Sequence, residues 1–99
     1  MTADALAHSA ATDAEPPAGL SDTARTLWLA KAGRWDEAHD LCQLLPDQNT
    51  GAWIHAWLHR EEGDSGNAGY WYQRAGKTAP ANRADLQAEW LEIATALLG

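Results

Sequence analysis

The sequence predicts an all-α fold: two tandem antiparallel helix hairpins followed by a C-terminal capping helix. Apolar residues recur at three- and four-residue intervals, which is the spacing of one helical face. Gly33, Gly63 and Gly76 stand where the periodic segments stop, as helix C-caps do. Gly33 and Ala38 also align with Gly63 and Ala68 at an offset of thirty residues, which indicates a duplicated unit.

The first element follows a segment that offers little to bury. Residues 1–19 are rich in Ala, Asp, Thr and Ser and end in a Pro-Pro pair, so we expect a disordered tail there and a single helical-repeat domain over 20–99. The first helix is predicted over 22–32. Ser21 can cap it, and Gly33 ends it.

The second and third helices flank a polar loop. The second begins near Trp35 or Asp36, and its apolar residues extend to Leu45. We expect a loop over 46–51, because this stretch is rich in Pro, Asp, Asn and Gly. The third helix is predicted over 52–62.

The last two helices complete the fold. The fourth is predicted over 65–75, with Asp64 as its N-cap. Asn82 can cap the fifth helix, whose apolar stripe includes Leu86, Trp90, Ile93 and Leu97. Glu89 falls on the polar side of this helix, so we expect it to face solvent while the opposite face closes the repeat stack.

Charge and composition narrow the function classes. Fourteen Asp and Glu against seven Lys and Arg give a formal charge of −7, which disfavours nucleic acid and anionic membranes as partners. No secretion signal is recognisable, and no apolar run reaches the length of about 20 residues that spans a bilayer. Cys42 is the single cysteine, which fits a reducing compartment. We therefore expect a cytoplasmic protein.

The second hairpin resembles a tetratricopeptide repeat. The resemblance rests on the spacing of Ala56, Gly63, Ala68, Tyr72, Ala75 and Pro80. It is good over about 52–80 and weak over 22–50, where Gly33 and Ala38 are the firm matches. Cys42, His55 and His59 depart from the residue types of the family.

The resemblance implies an interaction module that binds a protein or peptide partner. Two units make only a short groove, so a homo-oligomer is a second possibility that this resemblance leaves open. We expect no cofactor. The densest polar run of the sequence supplies the candidate binding residues, which are His55, His59, Arg60, Glu62, Asp64, Asn67, Tyr70 and Trp71.

The alternative function is a metal-binding or metal-dependent protein. His55 and His59 lie four residues apart on one helix, and His39 and Cys42 lie three apart on the preceding one, so the four suit a tetrahedral zinc site. Both histidines of the third helix can pack inward only if other helices cover that helix on two sides. This arrangement predicts that they are partly buried and hydrogen-bonded to Asn67 or a Tyr hydroxyl.

Other constellations give weaker indications. Arg60 with Asp64, and Glu62 with Arg74, are spaced for exposed ion pairs, which contribute under about 1 kcal/mol. An aromatic platform for a ligand is a further reading of the residues Trp53, Trp57, Tyr70 and Trp71. The sequence contains no nucleophile elbow, glycine-rich phosphate loop or HExxH motif, which favours a non-enzymatic role.

Overall fold

The computed structural model describes residues 1–80 and 85–98, and that part of the chain contains six α-helices and no strand. The helices are α1 (Ala3–Thr12), α2 (Asp22–Lys31), α3 (Trp35–Cys42), α4 (Gln48–Glu61), α5 (Ser65–Ala75) and α6 (Leu86–Leu98). The predicted all-α class is confirmed. Within the described residues, every helix is too short or too polar to cross a membrane.

The N-terminal segment corrects the sequence-based expectation, because α1 lies where a disordered tail over 1–19 was predicted. Thr2 caps α1 by accepting a hydrogen bond from the backbone N–H of Ala5. Leu6 is fully buried, and Ser9 Oγ accepts a 3.0 Å hydrogen bond from the indole of Trp28. Alanine is the best helix former and packs closely, so an alanine-rich segment can dock on α2 and α6 with few large side chains.

The connections after α2 and α4 have the same backbone structure. Gly33 and Gly63 have φ angles of 81° and 89°, which glycine adopts without a Cβ penalty. In the first connection the N–H of Arg34 donates to the carbonyl of Leu29, and thirty residues later that of Asp64 donates to His59. These are the hydrogen bonds of a Schellman motif. Each connection lets the next helix pack on the previous one, so α2 packs on α3 and α4 on α5.

Helix α4 starts earlier than predicted and lies at the centre of the fold. Asp47 caps it by accepting from the N–H groups of Asn49 and Thr50, so the loop expected over 46–51 is shorter. Gly51 sits inside the helix, where a Cβ would come within 2.5 Å of the carbonyl oxygen of Cys42. The helix packs against α2, α3, α5 and α6. This confirms the predicted covering on more than one side.

Helix α6 closes the core through tryptophan hydrogen bonds. The indole N–H of Trp90 donates to the carbonyl of Leu27, and that of Trp57 donates to Leu86. Both rings are about 1% exposed, and the hydrogen bonds remove the cost of burying their N–H groups. The predicted cap at Asn82 lies outside the described residues. Asp85 accepts from the N–H of Gln87 at the start of this helix.

Candidate binding site: a histidine cluster beside a pocket

Three histidines meet between α3 and α4. His39 projects from α3, while His55 and His59 lie one turn apart on α4. One potential ligand atom from each residue lies within 4.8 Å of the others. The ring centroids of His39 and His55 are 4.4 Å apart, and those of His55 and His59 are 4.8 Å apart. The three residues are called the histidine cluster below.

Two tryptophans hold the histidine cluster between them. The ring of Trp35 stacks on His39 at 4.7 Å between centroids, and Trp71 stacks on His55 at 3.9 Å. The indole N–H of Trp35 donates a 2.8 Å hydrogen bond to the carbonyl of Leu58, which fixes that ring. Sequence reasoning did not include Trp35 among the site residues. Its position one turn before His39 is the signal that was available.

The α4 histidines are more deeply buried than the partial burial predicted for them. His55 is 3% exposed and His59 is 6% exposed. The hydrogen-bond partner differs from the expectation: His59 Nδ1 lies 2.6 Å from a carboxylate oxygen of Glu62, rather than bonding Asn67 or a tyrosine. Burial, with smaller contributions from the neighbouring imidazoles of His39 and His59, lowers the pKa of His55 to about 4. His55 is therefore neutral near pH 7.

Cys42 lies outside the histidine cluster. Its Sγ donates to the backbone carbonyl of His39 at 3.1 Å, and no described grouping of potential metal ligands includes it. Burial, with a smaller contribution from Asp40, raises the pKa of the thiol to about 12. A metal prefers thiolate over thiol. The structure thus brings together three of the four residues that the metal hypothesis named.

A pocket of about 260 Å³ opens beside the histidine cluster, between α3, α4 and α5. His55 of the histidine cluster and Trp71, which stacks on it, both line the pocket. The part of the wall that the structure describes contains no carboxylate, although the chain as a whole is acidic. The residues lining it are Cys42, Gln43, Leu45, Gln48, Gly51, Ala52, His55, Trp71 and Arg74.

Arg74, a lining residue of the pocket, contacts two aromatic rings. Arg74 Nη1 donates to the hydroxyl of Tyr70 at 3.1 Å, and the guanidinium lies 5.4 Å from the ring centroid of Trp71. Tyr70 is 51% exposed. Trp53 and Trp57 are buried in the core, so of the four aromatic residues considered as a platform only Tyr70 and Trp71 reach this surface.

A second polar cluster joins α4 and α5 to α6. Arg60 Nη1 pairs with Glu89 at 2.6 Å, and the hydroxyl of Tyr72 donates to the same carboxylate. The expectation that Glu89 faces solvent is wrong, because its side chain is only 5% exposed. Burial and the neighbouring carboxylate raise the pKa of Tyr72 above its usual range. Arg60 thus anchors α6 through Glu89, a residue that helical periodicity had placed on the solvent-facing side of this helix.

The predicted binding residues separate into several groups. Asp64 caps α5 by accepting from the N–H of Asn67, and both residues are exposed. Arg60 and Glu62, each spaced for an ion pair across the turn, have Glu89 and His59 as partners. His55 and His59 belong to the histidine cluster, and Trp71 lines the pocket. Glu62 and Tyr70 contact these sites through His59 and Arg74, and Asp64 lies near His59 and Glu62.

Comparison with known proteins gives no relationship on which to build. No family model matches the chain, and no significant match is found among curated proteins or solved structures.

Proposed function

We propose that the protein is a helical-repeat interaction module, built like two tetratricopeptide-type units, that binds a carboxylate-bearing segment of a protein or peptide. The pocket beside the histidine cluster carries the proposal. It combines apolar wall atoms, the half-buried ring of Trp71 and one guanidinium, which are the elements that recognise an acidic side chain and its apolar neighbour.

The equivalence of the two helix pairs supports the repeat arrangement. The Schellman hydrogen bonds recur thirty residues apart, and Ala38 and Ala68 occupy equivalent buried positions. Small residues there let paired helices approach closely. Repeat scaffolds of this kind use the surfaces between successive helix pairs for binding. The pocket lies between such pairs, since α3 belongs to the first and α4 and α5 to the second.

Charge complementarity favours an anionic partner segment. The formal charge of the chain is −7, and such an acidic composition does not favour a positively charged pocket. Arg74 nevertheless reaches a wall whose described residues lack a carboxylate. Tyr70 and Trp71 hold the guanidinium of Arg74, whose planar fork of donors matches a carboxylate in two-point geometry. The free, buried thiol of Cys42 fits the cytoplasmic location that belongs to this proposal.

A displayed library of random peptides tests the proposed function. We expect selection on the immobilised protein to enrich peptides that contain Asp or Glu next to an apolar residue. The Arg74→Gln variant should bind the selected peptides about tenfold or more weakly, because a hydrogen bond to a charged group contributes roughly 1.5–3 kcal/mol. The measurement is fluorescence anisotropy of the labelled peptides.

Arg25→Gln is the matched control, because Arg25 is an exposed arginine of α2 at a distance in sequence from the pocket. It should bind the peptides as the unsubstituted protein does. Equal binding by Arg74→Gln and by Trp71→Leu would show that the pocket is not the recognition site. Failure of the library to yield any enriched peptide would contradict the interaction role itself.

A further inference from the structure

The histidine cluster has the separation that a shared metal ion requires. Its potential ligand atoms lie within 4.8 Å of one another. Two imidazole nitrogens on one tetrahedral zinc are about 3.3 Å apart, because Zn–N bonds of about 2.0–2.1 Å meet near the tetrahedral angle. Closing the difference takes a movement of at most about 1.5 Å, which small side-chain rotations of His39, His55 and His59 supply. We propose that these three histidines bind one divalent zinc ion.

The ligand type selects the class of metal. Neutral imidazole nitrogens suit zinc and neighbouring first-row transition ions, whereas magnesium and calcium prefer oxygen ligands. Three protein ligands leave the fourth tetrahedral position to water or to a bound molecule. His55 also lines the pocket, so that position has a route to solvent on the side of Arg74.

Glu62 completes the outer shell of the site. Its carboxylate accepts from Nδ1 of His59, so Nε2 is the nitrogen left to face the metal. Histidine ligands in metal sites commonly donate their second ring nitrogen to a carboxylate, which fixes the ring and makes it more basic. Trp35 and Trp71 fix the planes of the other two imidazoles by stacking on them.

The helical scaffold does not require imidazoles at these positions. The residues thirty positions before His55 and His59 are Arg25, which is exposed, and Leu29, which is buried in the core. The same backbone thus forms in the first helix pair with an ordinary surface residue and an ordinary core residue. Three polar rings converge only between the pairs, where each could instead have been apolar.

A neighbouring group of potential ligands fits less well. His59, Glu62 and Asp64 also lie close together, but both carboxylates are exposed. Asp64 already accepts from the backbone N–H of Asn67 as the cap of α5. Exposed acids at a helix start are favoured by the helix dipole without any metal. The three-histidine arrangement therefore carries the proposal.

Zinc titration of the untagged protein tests the site. After dialysis against a chelator, isothermal titration with zinc chloride should give one ion per chain. Unfolding followed by circular dichroism should show a rise in Tm of roughly 10 °C when free zinc exceeds Kd a hundredfold. Co²⁺ in place of zinc should give the intense visible absorption of a tetrahedral site. Absence of stoichiometric uptake would overturn the proposal.

Matched variants locate the ligands. His39→Gln should weaken zinc binding at least tenfold. Because His39 is half-buried, the variant should keep the circular dichroism spectrum of the helical fold. Glu62→Gln should weaken it by about 10–100-fold through the outer shell. His8→Gln changes the one histidine outside the cluster and should bind zinc unchanged. Unaltered affinity in His39→Gln would overturn the assignment.

Two further variants distinguish the three-histidine site from the neighbouring carboxylate group and from the peptide pocket. Asp64→Asn keeps an N-cap side chain while removing the charge, so it should bind zinc normally. A large loss in Asp64→Asn would overturn the three-histidine site in favour of the carboxylate group. Arg74→Gln, which tests the peptide pocket, should also leave zinc affinity unchanged, so the two proposals stand or fall separately.

Discussion

The two helix pairs share a backbone plan but differ in the chemistry that they carry. Gly33 and Gly63 make the same turn, and Ala38 and Ala68 are 0% and 3% exposed at equivalent positions. These shared small residues set the path of the chain. The plan itself therefore needs little more than a glycine at each turn and a small residue on the second helix of each pair.

The second pair carries polar groups where the first pair carries apolar ones, and His39 of the first pair joins them in the histidine cluster. Arg60 and Tyr72 correspond to Ala30 and Cys42 in the first pair, and His59 corresponds to Leu29. As a result α4 carries the histidine cluster toward α3 and an ion pair toward α6. The difference teaches that the shared backbone plan builds the frame, whereas the candidate sites arise where the two helix pairs differ.

The largest expected effect comes from breaking the polar anchor of the second pair. Glu89→Ala should lower the free energy of unfolding by about 3–5 kcal/mol, because it removes a buried carboxylate that both Arg60 and Tyr72 contact. Urea unfolding followed by circular dichroism measures it. Glu92→Ala, on the exposed side of α6, is the control and should change stability by under about 0.5 kcal/mol. Similar losses in both variants would contradict the role of the anchor.

A smaller effect tests the close approach of α4 to α3. Gly51→Ala should destabilise the fold by about 1–3 kcal/mol, because the added Cβ meets the backbone carbonyl of Cys42 at 2.5 Å. Gly66→Ala adds a methyl group to open space in α5 and should be neutral or stabilising by up to about 1 kcal/mol. Thermal unfolding of the two variants checks this. A neutral Gly51→Ala would mean that the two pairs separate without cost at this point.

The smallest effect compares two tyrosines under alkaline conditions. Burial raises the pKa of Tyr72 above the 10.0 of a free phenol, so above pH 10 the unfolded chain releases this proton while the folded chain keeps it. The contribution of Tyr72 to stability is constant well below pH 10 and falls as pH rises toward and above this value, by roughly 1 kcal/mol at pH 11. Tyr72→Phe should lack this part of the decline between pH 9 and pH 11 in urea unfolding.

Tyr70→Phe supplies the comparison within the same helix. Its hydroxyl is on a ring that is 51% exposed, so the alkaline decline should match that of the unsubstituted protein. A flattened decline in Tyr70→Phe, with an unchanged one in Tyr72→Phe, would contradict the assignment. Cys42, the counterpart of Tyr72 in the first pair, contributes a decline of the same sign from about pH 9.

Local sequence signals predicted most of the helices because caps and turn glycines act over a few residues. Helix α5 covers the predicted range 65–75, and α2 differs from its prediction by one residue at its end. Asp47 was assigned to a loop although it caps α4, since Gly51 in the following turn suggested irregular structure. Gly51 lets α4 pack closely against Cys42 of the neighbouring helix α3. The apolar periodicity of a single helix does not describe such a contact between two helices.

Tertiary packing accounts for the larger errors. Helix α1 depends on contacts of Leu6 and Ser9 with a core that lies later in the chain. Glu89 looked solvent-facing because helical periodicity assigns one buried face, whereas its carboxylate is buried through pairing with Arg60. Charges of opposite sign that meet across 29 residues leave no pattern in either local segment.

The histidine cluster was partly predictable. The spacing of His55 and His59 places them on one face of a helix, and the repeat places His39 on the helix beside it. Which of His39 and Cys42 turns toward that face depends on the crossing of α3 and α4. The structure settles it for His39, whose ring is held by Trp35, and leaves the sulfur of Cys42 bonded to backbone.

The protonated state of Cys42 has a practical consequence for labelling. Thiol reagents attack thiolates, and a side chain that is 3% exposed with a pKa of about 12 offers almost none at neutral pH. The natural chain therefore behaves as a cysteine-free background. A cysteine introduced at an exposed position such as Gln73 would carry a fluorophore at one defined site, beside the pocket-bearing helix, without disturbing the native thiol.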